Sequence, residues 1–171
     1  KQVSKFLHTI SDFERLGDHA MNIAFICKDM QEKTIEFSPD AYEELDIIKA
    51  ATEEVVDLAV SSFQEDDWTN AAHVEPLREW IGKICNNSRS NHVKRLQEGK
   101  CEIKTGIVFN DLIMNYERIS AHCSNIAAAT IEAEQSHFNT HEMLSEVRHN
   151  KDDEYTSSCC HMNSSFCLTT L

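Results

Sequence analysis

Apolar residues recur at three- and four-residue steps through most of the chain, the period of an amphipathic helix. Phe6, Ile10, Phe13, Ala20, Ile23 and Cys27 form one such stripe and predict a helix over 1–36, interrupted only by Gly17. Ser38-Pro39-Asp40 is a breaker followed by a start signal, because Ser or Asp caps a helix and Pro suits its first turn. A second helix over 40–64 follows, with Leu45, Ile48, Thr52, Val55, Ala59 and Ser62 along its stripe. Gln64-Glu65-Asp66-Asp67 reads as the turn into a third helix over 68–98, striped by Val74, Leu77, Ile81, Ile84 and Ser88 and kinked in its first turns by Pro76. Gly99 ends it, with Lys94 and Arg95 placed against the C-terminal dipole. The fourth helix, over 103–135, turns Val108, Leu112, Tyr116, Ile119, Cys123 and Ile126 inward. Asn139-Thr140 caps a short fifth helix over 141–149, and 150–171 loses its period and reads as a poorly ordered tail. Long helices joined by short connections predict an all-α antiparallel bundle.

Composition narrows the picture. Four Gly and two Pro in 171 residues supply too little turn chemistry for a many-stranded sandwich or barrel. No apolar run reaches the length of a membrane span, and Lys1-Gln2-Val3-Ser4 opens no signal peptide, so a soluble chain is expected. The net charge of −13 argues against nucleic acid as a partner, since phosphate neutralisation needs clustered Lys and Arg. Between Asp29 and Asp67 there are 13 acids against Lys33 and Lys49. Such a stretch is a solvated helix face, or a run of like charges awaiting cations. Seven cysteines without a C-x-x-C suggest neither a disulfide framework nor a zinc ribbon. Cys27, Cys85 and Cys123 read as small core hydrophobes. The tail pair Cys159-Cys160 with His161, and Cys167, offers thiols for metal binding.

The chain carries an internal repeat. Residues 12–24, from Asp12 to Ala24, match residues 115–127, from Asn115 to Ala127, with Glu, Arg, His, Asn, Ile and Ala shared. Glu14 and Asp18 stand one helical turn apart on one face, where two carboxylates repel unless a cation, Arg or Lys neutralises them. Oxygen ligands on successive turns suit hard cations, and iron or zinc with help from elsewhere. Arg15 and Arg118 read as interhelical or backbone anchors and His19 and His122 as core-edge histidines. Asn22 and Asn125 read as cross-helix hydrogen bonders that set register. A di-iron oxygenase would need Glu-x-x-His on two helices, and neither Glu14 nor Glu117 has that His. Hydrolase and phosphate-loop signatures are absent too, so no enzyme is expected.

Glu14-Arg15-Leu16-Gly17-Asp18 resembles the acidic signature of PhoU proteins, regulators of bacterial phosphate uptake built from two three-helix repeats. His92 to Cys101, Asn110-Asp111-Leu112 and Tyr116 to Ala127 are similar to the cytoplasmic C-terminal PhoU-like domain of bacterial sodium/phosphate cotransporters of the NptA-like family. His141-Glu142-Met143-Leu144 also suits that family's ending. The resemblance implies that 1–36 is the last helix of a truncated first repeat and 40–149 a second three-helix repeat with a short C-terminal helix. It implies a regulatory domain acting in sodium-dependent phosphate transport, at the cytoplasmic face of the inner membrane, with the carrier's own membrane domain as partner. The alternative is a free-standing PhoU-type regulator that binds metal through acidic helix motifs. PhoU proteins bind metal clusters through paired acidic motifs, which implies a divalent or iron site at Glu14 and Asp18. The second motif is degenerate: Glu117 is present, but Ala121 replaces its second acid, and Arg78 and Gly82 stand where the family tends to place acids on the preceding helix. With the first repeat's other helices missing, the apolar stripe of 1–36 should be left open to water and pair with a second copy, giving a homodimer.

Overall fold

The structure, a computed structural model, describes residues 2–134. The expected short helix over 141–149 and the tail over 150–171 lie outside the described residues. Four long helices carry the fold: α1 (Gln2–Lys33), α2 (Pro39–Glu65), α4 (Val74–Gln97) and α5 (Ile103–Glu134), with a single turn, α3 (Trp68–Ala71), between α2 and α4. No strand occurs among the described residues. The all-α expectation holds.

The predicted stop and start signals act as physical caps. The Ser38 side chain accepts from Ala41 N, with Pro39 opening α2. Asp66 turns the chain out of α2 at φ 54°, and the Asp67 carboxylate then accepts from the backbone N–H groups of Thr69 and Asn70, both at 3.0 Å. The Asn70 bond leads the effects that hold the Asp67 carboxyl below its ordinary range. Gly99, at φ 68°, ends α4, where Lys100 N bonds back to Arg95 O at 2.9 Å.

The single helix expected over 68–98 is two. Pro76 has no N–H to offer the carbonyl of Ala72, so the ladder breaks at Ala72-His73 and the first turn stands apart as α3.

Helices α2, α4 and α5 enclose the core. Their predicted stripes are buried almost throughout: Ile48, Val55 and Ala59 from α2, Val74, Leu77 and Ile81 from α4, Leu112, Ile119, Cys123 and Ile126 from α5. Phe109 and Ile113 join them, beside the predicted α5 positions. Burial pushes the thiols of Cys85 and Cys123 up to about 12, so both act as inert packing groups. Cys27, by contrast, is exposed rather than a core residue.

One ion pair ties α2 to α4 inside this bundle. Arg95 donates to both oxygens of Glu44 at 2.9 Å, and Asn91 Nδ2 adds a third bond to Glu44 at 3.0 Å. Arg95 is buried and lies 5.5 Å from the centroid of the Phe109 ring, so its charge serves the interior rather than the helix dipole. Removing one partner of such a pair costs about 3–5 kcal/mol, because the other charge is stranded.

His92 packs against the same Phe109 ring, with centroids 5.3 Å apart. Burial, aided by the charge of Arg95, holds its imidazole below the ordinary range. The ring sits where a side chain on Gly106 would be: a Cβ there would come 2.1 Å from His92 Nε2. Close approach of α4 and α5 therefore requires glycine at 106. Gly17 and Gly82 carry no such demand, since an added Cβ meets nothing within 4 Å at either. Gly106→Ala should lower stability by about 1–3 kcal/mol through overpacking. Gly17→Ala should raise it by up to about 1 kcal/mol through helix propensity. Urea unfolding followed by circular dichroism reads both, and their opposite signs are the check.

Candidate functional site

Helix α1 lies along α5, and the two halves of the internal repeat meet there. His122 Nδ1 lies 2.8 Å from Asp12 Oδ1, and Asn125 Nδ2 donates to the same oxygen at 2.8 Å. One repeat away, His19 Nδ1 lies 2.9 Å from Asn115 Oδ1, and Asn22 Nδ2 donates to that oxygen at 3.4 Å. Each helix gives the other an acceptor, a histidine and an asparagine. The pairing runs Asp12 to His122 and His19 to Asn115, so the helices are antiparallel and related by an approximate two-fold axis. The His19 and His122 rings stack at that axis, with centroids 5.6 Å apart and planes 27° apart.

The partners define the tautomers. A carboxylate only accepts, so His122 presents Nδ1–H to Asp12. Asn115 Nδ2 donates to the Asp111 carbonyl at 2.8 Å, which turns its Oδ1 toward His19 and makes that Nδ1 a donor as well. The seam is alike in geometry and unlike in charge: one acceptor is a carboxylate and its twin an amide. The expected roles of His19, His122, Asn22 and Asn125 are thus present. Among the described residues, neither Arg15 nor Arg118 anchors another helix. Arg15 reaches only Asp18 of its own helix, at 3.5 Å, and Arg118 is exposed without an ion-pair partner among the described residues.

The sequence-predicted metal residues lie apart from this seam. Glu14 and Asp18 are exposed on α1, and Asp18 is already paired with Arg15. Glu117 turns to α4, where Arg89 Nη2 donates to it at 2.6 Å. Among the described residues, no group of three or more His, Cys, Asp or Glu side chains stands close enough to hold a metal ion. Two carboxylates fill too few positions of a hard cation that takes six or more oxygens, so Glu14 and Asp18 do not complete a site by themselves.

The α1 stripe expected to be left open to water is open at four of its six positions, while Phe13 and Ile23 are partly covered. Thr9 is buried and Leu16, His19, Ile23, Ile26 and Met30 are partly covered. Phe6, Ile10, Ala20 and Cys27 are exposed. Phe6 and Phe13 touch α2 through the Phe63 ring, at centroid distances of 5.5 and 5.0 Å. Leu7 (67%), Met21 (55%) and Phe25 (61%) stand in solvent with Phe6 (53%) and Ile10 (58%), so an apolar face of α1 has no cover among the described residues. The seam was missed as a site because sequence gives its residue types but not which of them meet. The available signal was the repeat itself, which sets Asp12, His19 and Asn22 at a constant offset of 103 residues from Asn115, His122 and Asn125.

The PhoU domain family matches residues 45–130, half of the chain. The chain belongs to the PhoU family. The match runs from the first half of α2 to near the end of α5, so the α2–α5 bundle is the PhoU domain and α1 precedes the matched stretch. The chain is also similar to the phosphate-specific transport system accessory protein PhoU homolog 1 of Thermotoga maritima, 28% identical over 124 residues that cover 72% of this chain and 53% of that protein. It therefore spans about half the length of this curated relative. No solved structure matches the chain.

The polar seam of this PhoU chain makes a clear stability prediction. Asp12→Asn keeps an oxygen for both His122 and Asn125 and should cost less than about 1 kcal/mol. Asp12→Ala leaves both donors without their acceptor and should cost about 1–3 kcal/mol. A double-mutant cycle of Asp12→Ala with His122→Ala, followed by urea unfolding, should return a favourable coupling energy.

Proposed function

We propose that this chain is a regulatory, non-catalytic PhoU domain of a phosphate-transport system. More narrowly, it is the cytoplasmic C-terminal domain of a bacterial sodium/phosphate cotransporter, with the carrier's own membrane domain as partner at the inner face of the membrane. The observation that carries the phosphate role is the family match over residues 45–130. The Thermotoga relative, named as an accessory protein of phosphate-specific transport, supports it. The resemblance at residues 92–127 supports the fused form. A free-standing regulator is the second reading, favoured by that same relative, whose name is that of a separate accessory protein. No described helix is long and apolar enough to cross a membrane, which suits a domain beside the bilayer in either reading.

Regulation here means binding and contact, not bond chemistry. A divalent or iron ion at Glu14 and Asp18 would need its remaining ligands from another segment or a second copy. Deletion of this segment from the host gene should change phosphate uptake, measured with labelled phosphate, mainly when external phosphate is high. Unchanged uptake at all phosphate levels would overturn the regulatory role. An immunoblot of fractionated cells separates the two readings. A membrane-bound band well above 19.5 kDa means fused, and a soluble band means free-standing.

The face of α1 left uncovered among the described residues supports association of this chain with a second copy of itself. Sedimentation at high micromolar concentration should show a homodimer, and Phe6→Glu with Ile10→Glu should split it while leaving the α2–α5 bundle folded. A strict monomer would sink the dimer.

A further inference from the structure

A groove of about 650 Å3 runs between α4 and α5, and its chemistry opposes that of the rest of the chain. Four cations line it, Arg78, Lys83 and Arg89 from α4 and Arg118 from α5, against two carboxylates, Glu79 and Glu117. A chain of net charge −13 thus gathers a quarter of its 16 Lys and Arg in one cleft. The dense acids lie elsewhere, between Asp29 and Asp67 on α1, α2 and their connections.

The groove's cations are only partly satisfied. Neither Lys83 nor Arg118 has an ion-pair partner among the described residues, and both are exposed. Arg78 spends one N–H on Glu75 at 3.3 Å. Arg89 is engaged with Asn86, Asn110 and Glu117, so it stands fixed in the wall while Glu117 is neutralised by it. Like charges gathered in one cleft repel unless an anion joins them.

Small residues open the space. Gly82 lines the groove from α4, and a Cβ placed on it meets nothing within 4 Å. Ala121 lines it from α5, where a longer side chain would reduce the room. Small-molecule sites usually occupy about 300–1,000 Å3, so this groove is sized for a small organic or chain-like anion rather than for one isolated ion. Arg forks match phosphoryl oxygens in pairs, and Lys supplies a mobile point charge beside them. The exposed Met114 gives the lining an apolar contact.

We propose that the α4–α5 groove binds an anion carrying two or more phosphoryl groups, held by Arg78, Lys83 and Arg118 with Arg89 fixed behind Glu117. The phosphoryl chain is the part recognised, and it comes either from a nucleotide or from a short inorganic polyphosphate. The overall negative field of the chain repels anions at long range, so binding rests on contacts inside the groove rather than on steering. This inference stands on charge and shape and does not depend on the phosphate-transport reading.

Titration calorimetry of the full chain with sodium tripolyphosphate, ATP and orthophosphate, each without divalent cations and at matched ionic strength, is the test. Tripolyphosphate should bind in the micromolar range and orthophosphate much more weakly. ATP equal to tripolyphosphate assigns recognition to the phosphoryl chain alone, and ATP tighter adds a contact to the nucleoside; either supports the site. Lys83→Glu and Arg118→Glu, both at exposed positions, should each weaken tripolyphosphate by about tenfold or more, the scale of one charge-assisted hydrogen bond. Gly82→Glu should abolish binding while circular dichroism shows the helices intact. Arg15→Glu, on α1 outside the groove, should leave affinity unchanged. No binding of either oligophosphate at millimolar concentration would overturn the proposal. So would affinity untouched by both Lys83→Glu and Arg118→Glu, or orthophosphate binding as tightly as tripolyphosphate.

Discussion

The packing of α1 on α5 depends on a polar lock. At the seam between α1 and α5, Asp12 and Asn115 each receive a histidine and an asparagine from the opposite helix. Apolar contacts tolerate sliding by a turn, because one methyl-lined surface resembles the next. Hydrogen bonds between partly covered groups do not, because a slip strands four donors and two acceptors at once. The lock thereby selects one register for α1, and with it the direction in which the remaining faces of both helices point.

That choice has consequences on both sides of the seam. On α1 the face carrying Leu7, Ile10, Met21 and Phe25 is turned away from the α2–α5 bundle, so among the described residues a helix with more than one apolar face is covered on one side only. Helix α5 has to serve α1, α2 and α4 together, and it does so with a run of small and medium residues. Gly106 admits the His92 ring, Cys123 and Ala127 fill the interior, and Ala121 leaves room beside α4. The cationic groove between α4 and α5 follows from the same arrangement, since Gly82 and Ala121 leave it open and the long basic side chains form its walls.

Two kinds of electrostatics coexist in this PhoU chain without mixing. The Glu44–Arg95 pair is buried, bidentate and satisfied on the carboxylate side, so it joins α2 to α4 as an internal bolt. The exposed pairs along α1 and α2, such as Lys28–Glu32 and Lys49–Glu53 at 3.8 Å, are one-turn neighbours in water and contribute little. Acid accumulates where solvent screens it. Base accumulates where two helices form a cleft. The result is a domain whose net charge conceals an opposite local one.

Much of the fold was legible in one dimension. The helical period, the Ser38-Pro39 start, the turn at Gln64 to Asp67 and the Gly99 stop are local facts, set by steric and hydrogen-bonding preferences of neighbouring residues, and each appears at its place. The stripes of α2, α4 and α5 were legible for the same reason: a helix enclosed by others buries whichever face is most apolar. On α1 the open stripe was legible at Phe6, Ile10, Ala20 and Cys27, but the face that meets α5 was not, because two faces of the helix are apolar and only the partner decides which is covered. The break before α4 needed the missing N–H of Pro76 to be weighed against the helical pattern around it. The sequence alone also exposed the repeat and its residue types, and hence the family resemblance. Which histidine meets which acceptor, the burial of Arg95 on Glu44, and the gathering of Arg78, Lys83, Arg89 and Arg118 in one cleft were decided only by tertiary structure. Those relations join residues of different helices about 30 to 110 positions apart, and no local preference encodes a contact across that distance until the helices have taken up a single register.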